Sequence, residues 1–510
     1  MKKFIALILV LAMIAGMLIS CGSNTPKEAD KNNDVNANAQ ENQDGAQAAE
    51  EITTEKRIEP ELPDEKFGGY TFTFLTHLYE GDDWLSSQPL ELVSEAETGE
   101  PVNDTVFRRN MKLMEKYDFN LKMISFSDER SAMNKAVKAG ESLYDAAIMF
   151  NNNVPGIVTA GLLTNIANLP YVDLSKPWWD PAVNSMSIDH KNYLMAGDML
   201  ILDNEATNCL LFNKDLMANL GKELPYNLVK EGKWTFDKMN ETVKDAAADL
   251  NGDGMMTVWE DRWGFCVYND TIHALLVSGG GALAVKDEND IPYINFATEK
   301  NLAVLDKVMN LMYNPDYVLN IQAPPKGGRT TSNGAEMCIK GFEEGRILFI
   351  WTRMRFVEFF RGMEANFGII PLPKYDEIQE KYYSVVNPYT GVLLGVPSSA
   401  DNLERISIIL EAMSAESRYT LQPAYYDVVL QRKYVRDDES SEMLDIIFGS
   451  TPMGERVYDI GSVYSFGNVF LDFITLAAKQ DRNIVSYHDK KLSAMEKAID
   501  KVVNIFQAME

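Results

Sequence analysis

Histidine and cysteine, from which most catalytic and metal centres are built, are scarce here: each occurs four times in 510 residues. His77, His190, His273 and His488 lie far apart, and no HExxH zinc motif or GxSxG nucleophile elbow is present. Paired carboxylates for glycoside hydrolysis can be nominated anywhere among 75 Asp and Glu, so their presence argues nothing. Positive charge is short as well. With 48 Lys and Arg against those acids, the formal charge of −27 leaves no basic surface for nucleic acid and suits a large polyanionic substrate poorly. Past the first twenty-odd residues, no apolar run approaches the length of a membrane helix.

What the N-terminus does contain is an export signal. Lys2 and Lys3 precede an apolar stretch from Phe4 to Met17, and Leu18–Ile19–Ser20–Cys21 resembles the bacterial lipobox. Residues 1–20 read as a signal peptide, with Cys21 as the lipidated mature terminus. Residues 21–60 follow as a polar tether, almost free of large apolar side chains and unable to offset its own ordering entropy. Lipidation leaves Cys209, Cys266 and Cys338, an odd number without metal-ligand spacing. They read as buried free thiols, with one disulfide possible.

The remaining length holds two or more domains, and 46% hydrophobic with 24% charged residues is ordinary for a globular protein. A β-rich run at Tyr70–Leu75 exits through Thr76–His77 towards Trp84. A helix from Asn103, a strand around Phe119–Met123, a helix near Ser131–Ala139 and a strand at Asp145–Phe150 follow. This alternation predicts a mainly parallel, helix-covered sheet. Its third strand leaves through Asn151–Asn152–Asn153, three neutral hydrogen-bonding side chains at a carboxyl edge. Farther on, two extended runs, Met195–Leu202 and Cys209–Phe212, flank Asp203–Asn204–Glu205 like a chain crossing between lobes. Val385–Tyr389 and Gly391–Val396 suggest a second crossing.

Two stretches carry chemistry. Residues 249–260 follow the EF-hand calcium loop, with oxygens at Asp249, Asn251 and Asp253, a turn at Gly254, the Met255 carbonyl and a bidentate carboxylate at Glu260. Arg262–Trp263–Gly264 breaks the second helix, which favours one structural Ca2+ bracing a loop over a sensor. The other stretch is Gly341–Lys374. Its apolar strand Ile347–Trp351 releases Trp351, Arg353 and Arg355 at its carboxyl end, where α/β proteins place ligand contacts.

In this order the sequence resembles the lipid-anchored extracellular solute-binding proteins of bacterial ABC importers, family 1, the maltose-binding-protein-like group. The resemblance rests on Asn103–Asp104–Thr105 with Arg109–Asn110, on Asn213–Lys214–Asp215–Leu216, and on Lys233–Trp234–Thr235. It continues through the calcium loop with Asp261–Arg262–Trp263–Gly264, and through Phe367–Gly368–Ile369–Ile370–Pro371–Leu372–Pro373–Lys374. Tyr425–Tyr426–Asp427, Arg436–Asp437 and Glu439 to Asp445 complete it. It covers most of the chain after residue 60.

The resemblance implies an α/β fold of two lobes, the type 2 periplasmic-binding-protein arrangement, with ligand in a cleft closed by hinge motion. The lobes would be 61–198 with about 378–435, and 199–377 with about 436–510. It implies a non-enzyme on the extracytoplasmic face of the cell membrane, a monomer that hands a carbohydrate, often an oligosaccharide, to permease subunits. Aromatic faces and hydrogen-bonding side chains suit a sugar. By position the contacts would fall on Thr76, His77, Trp84, Asn151, Asn152, Asn153, Asp203, Asn204 and Glu205. Trp351, Arg353, Arg355, Asn387 and Tyr389 would join them. Trp178 and Trp179 would be either ligand contacts or core. The alternatives are a binding protein that serves a sensor kinase, or a secreted glycoside hydrolase.

Overall fold

The computed structural model describes residues 57–78, 91–323, 334–360, 363–431 and 438–509. From Ile58 onward the chain is one compact unit, and its two larger sheets carry the two lobes. Cys21, Trp84 and the Arg436–Asp437 pair lie outside the described residues.

The first lobe begins with β1 (Tyr70–His77), buried on both faces from Phe72 to Thr76, as a central parallel strand must be. Helix α1 (Pro101–Tyr117) starts with a proline, whose missing N–H would have had no partner there, and ends on Asp118 at φ 50°. After β2 (Phe119–Phe126) comes α2 (Glu129–Ala139), capped by Asp128, which accepts from the Ser131 amide at 2.9 Å. Strand β3 (Ala146–Phe150) and the short α3 (Val154–Val158) complete this run. The strands β2 and β3 pair in parallel on either side of β1, with Tyr70 opposite Phe119 and Phe74 opposite Ala146.

The chain then crosses. Met195–Leu202 is not the regular strand expected, since Met195 and Gly197 make isolated bridges to different partners, Leu394 and Trp179, and Leu202–Glu205 forms a helical turn, α4. Beyond it, β4 (Asn208–Asn213) opens the second lobe, followed by α5 (Phe236–Ala246), β5 (Trp263–Val267) and α6 (Thr271–Ser278). A hairpin of β6 (Ala284–Lys286) and β7 (Pro292–Ile294) leads on to β8 (Val318–Asn320). Next come α7 (Gly334–Glu343), β9 (Ile347–Arg353) and β10 (Phe367–Ile370). The second sheet runs β10-β4-β9-β5-β8, with β5, β8 and β9 parallel and β4 antiparallel to both neighbours.

Strand β11 (Tyr382–Val385) leads back to β12 (Val392–Gly395), which joins the first sheet antiparallel to β3. Helix α8 (Leu403–Tyr419), β13 (Gly454–Val457), paired with β11, and α9 (Ile484–Ala508) close the fold. Arg109, 1% exposed on α1, donates to Ser417 Oγ of α8 at 2.9 Å and to the Glu91 carbonyl at 2.7 Å. The Arg109–Asn110 block is thus a staple of the first lobe.

Each sheet is packed on both sides. Phe72, Phe74 and Ile148 enter one cluster, whereas Leu75, Ala147 and Met149 enter another. In the second lobe Leu210, Phe212 and Phe349 face one way, and Cys209, Leu211 and Ile350 the other. The three described cysteines are free and buried, and Cys266 on β5 is a hydrogen-bond neighbour of Cys338 on α7.

Candidate functional site

The topology brings the functional edges of both sheets to one side. Asn208 opens β4 opposite Arg353, the carboxyl end of β9, and Val392 opens β12 opposite Phe150, the carboxyl end of β3. Both crossings therefore run along the carboxyl edges. They are joined to each other: Thr207 bridges Val386, Asn387 N–H donates to the Ala206 carbonyl at 2.9 Å, and Asn208 Nδ2 donates to the Val385 carbonyl at 2.8 Å.

On the first lobe, Thr76 Oγ1 lies 2.7 Å from Ser125 Oγ across the β1–β2 register. His77 places Nδ1 2.6 Å from Glu129 Oε2 and packs edge-on against Phe150. The other carboxylate oxygen of Glu129 accepts from Asn153 Nδ2 at 2.7 Å. Glu129, fully buried at the start of α2, thus fixes two exit loops at once. Above them opens a cavity of about 700 Å³, walled by His77, Asn152 and Asn153 together with Arg130, Asn134 and Lys138 of α2. Asn151 is elsewhere. Its side chain is fully buried, both its polar atoms are without a hydrogen-bond partner among the described residues, and its amide donates to Gly391 of the second crossing.

On the second lobe β9 delivers its residues differently from the sequence expectation. Trp351 is 2% exposed and packs edge-on to Tyr268 at 5.8 Å within the core, because period-2 alternation puts it on the same face as Phe349. Arg353 follows on that face. Its guanidinium lies over the Phe356 ring and donates to Thr390 Oγ1 at 3.4 Å. Asp270 is charge-coupled to Arg353 and accepts from Asn387 Nδ2 at 3.2 Å. Burial raises the Asp270 pKa, and the nearby Arg353 charge works against that rise. Arg355 pairs with Glu205 of the first crossing at 3.7 Å. Asn387 Oδ1 accepts from the Tyr389 amide at 2.9 Å, while the Tyr389 ring leans on Phe470. Residues 387–391 link the two halves, since Thr390 holds Arg353 and Gly391 holds Asn151.

Four expected contacts turn away from this edge. Asp203 and Asn204 are held by Arg456, at 3.0 Å and 2.7 Å, in a buried knot that also takes in Asp180. Trp178 and Trp179 are core, and both indole N–H groups donate to the buried Glu411 carboxylate, at 3.0 Å and 2.7 Å. Arg456 and Asp270 carried no sequence signal. Arg130, Asn134 and Lys138 did, through their i, i+4, i+8 spacing on a helix.

No family model and no curated protein matches the sequence. Solved structures do. M. tuberculosis UspC superimposes with a TM-score of 0.53 at 14% identity, over 85% of this chain and 100% of that one. A cyclo/maltodextrin-binding protein complexed with maltotetraose gives 0.50 at 13%, over 86% and 96%. RafE from Streptococcus pneumoniae in its apo form gives 0.50 at 13%, over 87% and 98%. The fold is that of the two-lobed, MalE-like binding proteins. The paired crossings join the two sheets along their carboxyl edges.

The 249–260 loop projects from the second lobe between α5 and β5. Asp249 accepts from the Gly252 and Gly254 amides, both at 2.7 Å, and these bonds hold its carboxyl below the usual range. Asn251 Nδ2 sits between Asp253 Oδ2 at 3.3 Å and Glu260 Oε2 at 3.4 Å, a donor standing where a cation would bridge the two acids. Asp261, fully buried, pins the loop by accepting from Leu250 and Thr257 amides. Among the described residues no three His, Cys, Asp or Glu side chains gather as a metal site, so the donor set fits calcium only with the Asn251 oxygen and the Met255 carbonyl included. Among the described residues no helix is long and apolar enough to cross a membrane.

Proposed function

We propose that this chain is the substrate-binding component of an ABC importer and captures an oligosaccharide between its lobes. The observation that carries the reading is the binding-protein fold with hydrogen-bonding side chains collected at the carboxyl edges beside a paired hinge. The maltotetraose complex of one structural neighbour points to the ligand class. The residues present bind and orient: His77, Asn152 and Asn153 offer hydrogen bonds from one lobe, and Arg353 and Arg355 stand at the hinge. Nothing in this arrangement needs a reaction. Bending at 202–207 and 385–391 would swing one lobe over the ligand while the Thr207–Val386 pairing keeps the crossings in register.

In this reading Cys21 is diacylated and anchors the monomer on the extracytoplasmic face, with residues 21–60 as the tether that holds the folded part clear of the membrane. A panel of oligosaccharides screened by thermal shift tests the central claim, because a ligand that binds only the folded state raises the melting temperature by mass action. Peptides that shift it where no saccharide does would overturn it. A structural Ca2+ belongs to the same proposal, held by Asp249, Asn251, Asp253, Met255 and Glu260. Chelation should lower the melting temperature and calcium should restore it. An unchanged curve would remove the ion from the account.

A further inference from the structure

The cavity on the first lobe carries more positive than negative side chains on its walls. Among the described residues Asp128 is the carboxylate that lines it, Glu129 follows at the start of α2, and both accept hydrogen bonds from within the lobe. Asp128 accepts from the Ser131 amide and hydroxyl, at 2.9 Å and 2.5 Å, and these bonds hold its carboxyl below the usual range. Glu129 is buried and holds His77 and Asn153. What α2 turns towards the cavity is a stripe one turn apart, Arg130, Asn134 and Lys138, opposite its buried face of Glu129, Met133 and Ala136. Among the described residues neither Arg130 nor Lys138 is paired with an acid. Arg130 lies over α3 where Gly156 leaves room: a Cβ at 156 would sit 2.4 Å from its guanidinium nitrogen.

A neutral sugar needs acceptors for its hydroxyl protons as well as donors for its oxygens. The Asn and Ser side chains of this wall offer both, and Arg130 and Lys138 add two positive charges against the one carboxylate of Asp128, in a chain whose net charge is −27. Large polyanions are still repelled by the whole molecule, yet one or two carboxylates on a small ligand meet two local cations. We propose that the cavity selects a short saccharide bearing a carboxylate, a uronate-type unit, with Arg130 and Lys138 receiving the acid group. This rests on the saccharide-binding reading above and narrows it.

The test is calorimetric titration of the full chain with uronate oligosaccharides of several linkages and with neutral oligosaccharides of equal length. The acidic series should bind more tightly, and its affinity should fall with ionic strength because both cations are exposed. R130Q and K138Q should each weaken it by about tenfold, as expected for a charge-assisted hydrogen bond. K135Q, on the same helix but outside the cavity, should change nothing, and the ligand-free melting temperature should be the same in all three. Neutral and acidic saccharides binding equally, or acidic binding that ignores both substitutions, would overturn the carboxylate assignment and leave the saccharide reading standing. Binding of no saccharide at all would overturn both.

Discussion

Trp351 shows how much a residue's neighbours decide its role. A tryptophan at the carboxyl end of a buried strand is a natural sugar-stacking platform, yet here the ring is enclosed by the second lobe's own core. Trp351→Ala should therefore cost roughly 3–5 kcal/mol of stability, the range for removing a large buried aromatic. Urea unfolding that shows little change, alongside a selective loss of binding, would instead return Trp351 to the cleft. Glu411 offers a second test at this scale. Burial, outweighing its bonds to the two indoles, pushes its carboxyl up to about 7 from 4.5. The folded state then holds a proton that the unfolded chain releases, so this group's stabilisation is complete at low pH and is lost as pH rises from about 4.5 through about 7. Glu411→Gln should flatten that part of the stability profile. Melting temperatures that fall equally steeply in both proteins across this window would contradict it.

At the scale of elements, the strand–helix alternation of the first lobe was legible because each strand reads as a short apolar run and each helix shows its period. Thr235 caps α5, accepting from the Lys238 amide. The sequence marks Arg262–Trp263–Gly264 only as the break of a second helix, and the structure makes Trp263–Val267 a buried strand. Burial without period was harder to read. Met195–Leu202 is apolar because it lies in the first lobe's core, not because it pairs as a strand. The site was legible in its edges but not in its partners, since Arg456 reaches Asp203 from more than 250 positions away. Gly391 is where the crossings are tightest. A Cβ there would stand 2.6 Å from Asn151 Nδ2 and 2.8 Å from Val386, so Gly391→Ala should cost about 1–3 kcal/mol as overpacking does. Adding Asn151→Ala should return part of that loss, a coupling that a double-mutant cycle reads directly. Strict additivity would mean the two residues do not press on each other.

For the whole molecule, the important fact is that the last helix belongs to both cores. Ile484 and Met495 of α9 pack in the second lobe's cluster, whereas Ile499, Val502 and Phe506 pack with Leu75 and Ala147 of the first. Lys191 ties its end down by donating to the Phe506 carbonyl at 2.7 Å. A bilobed clamp with only thin crossings could swing widely at little cost. One braced by a continuous helix cannot, because every degree of rotation must bend that strut or slide it over one of its two seats. If the crossings bend as proposed, this strut would act as a spring beside them. It would return the ligand-free protein to one resting angle.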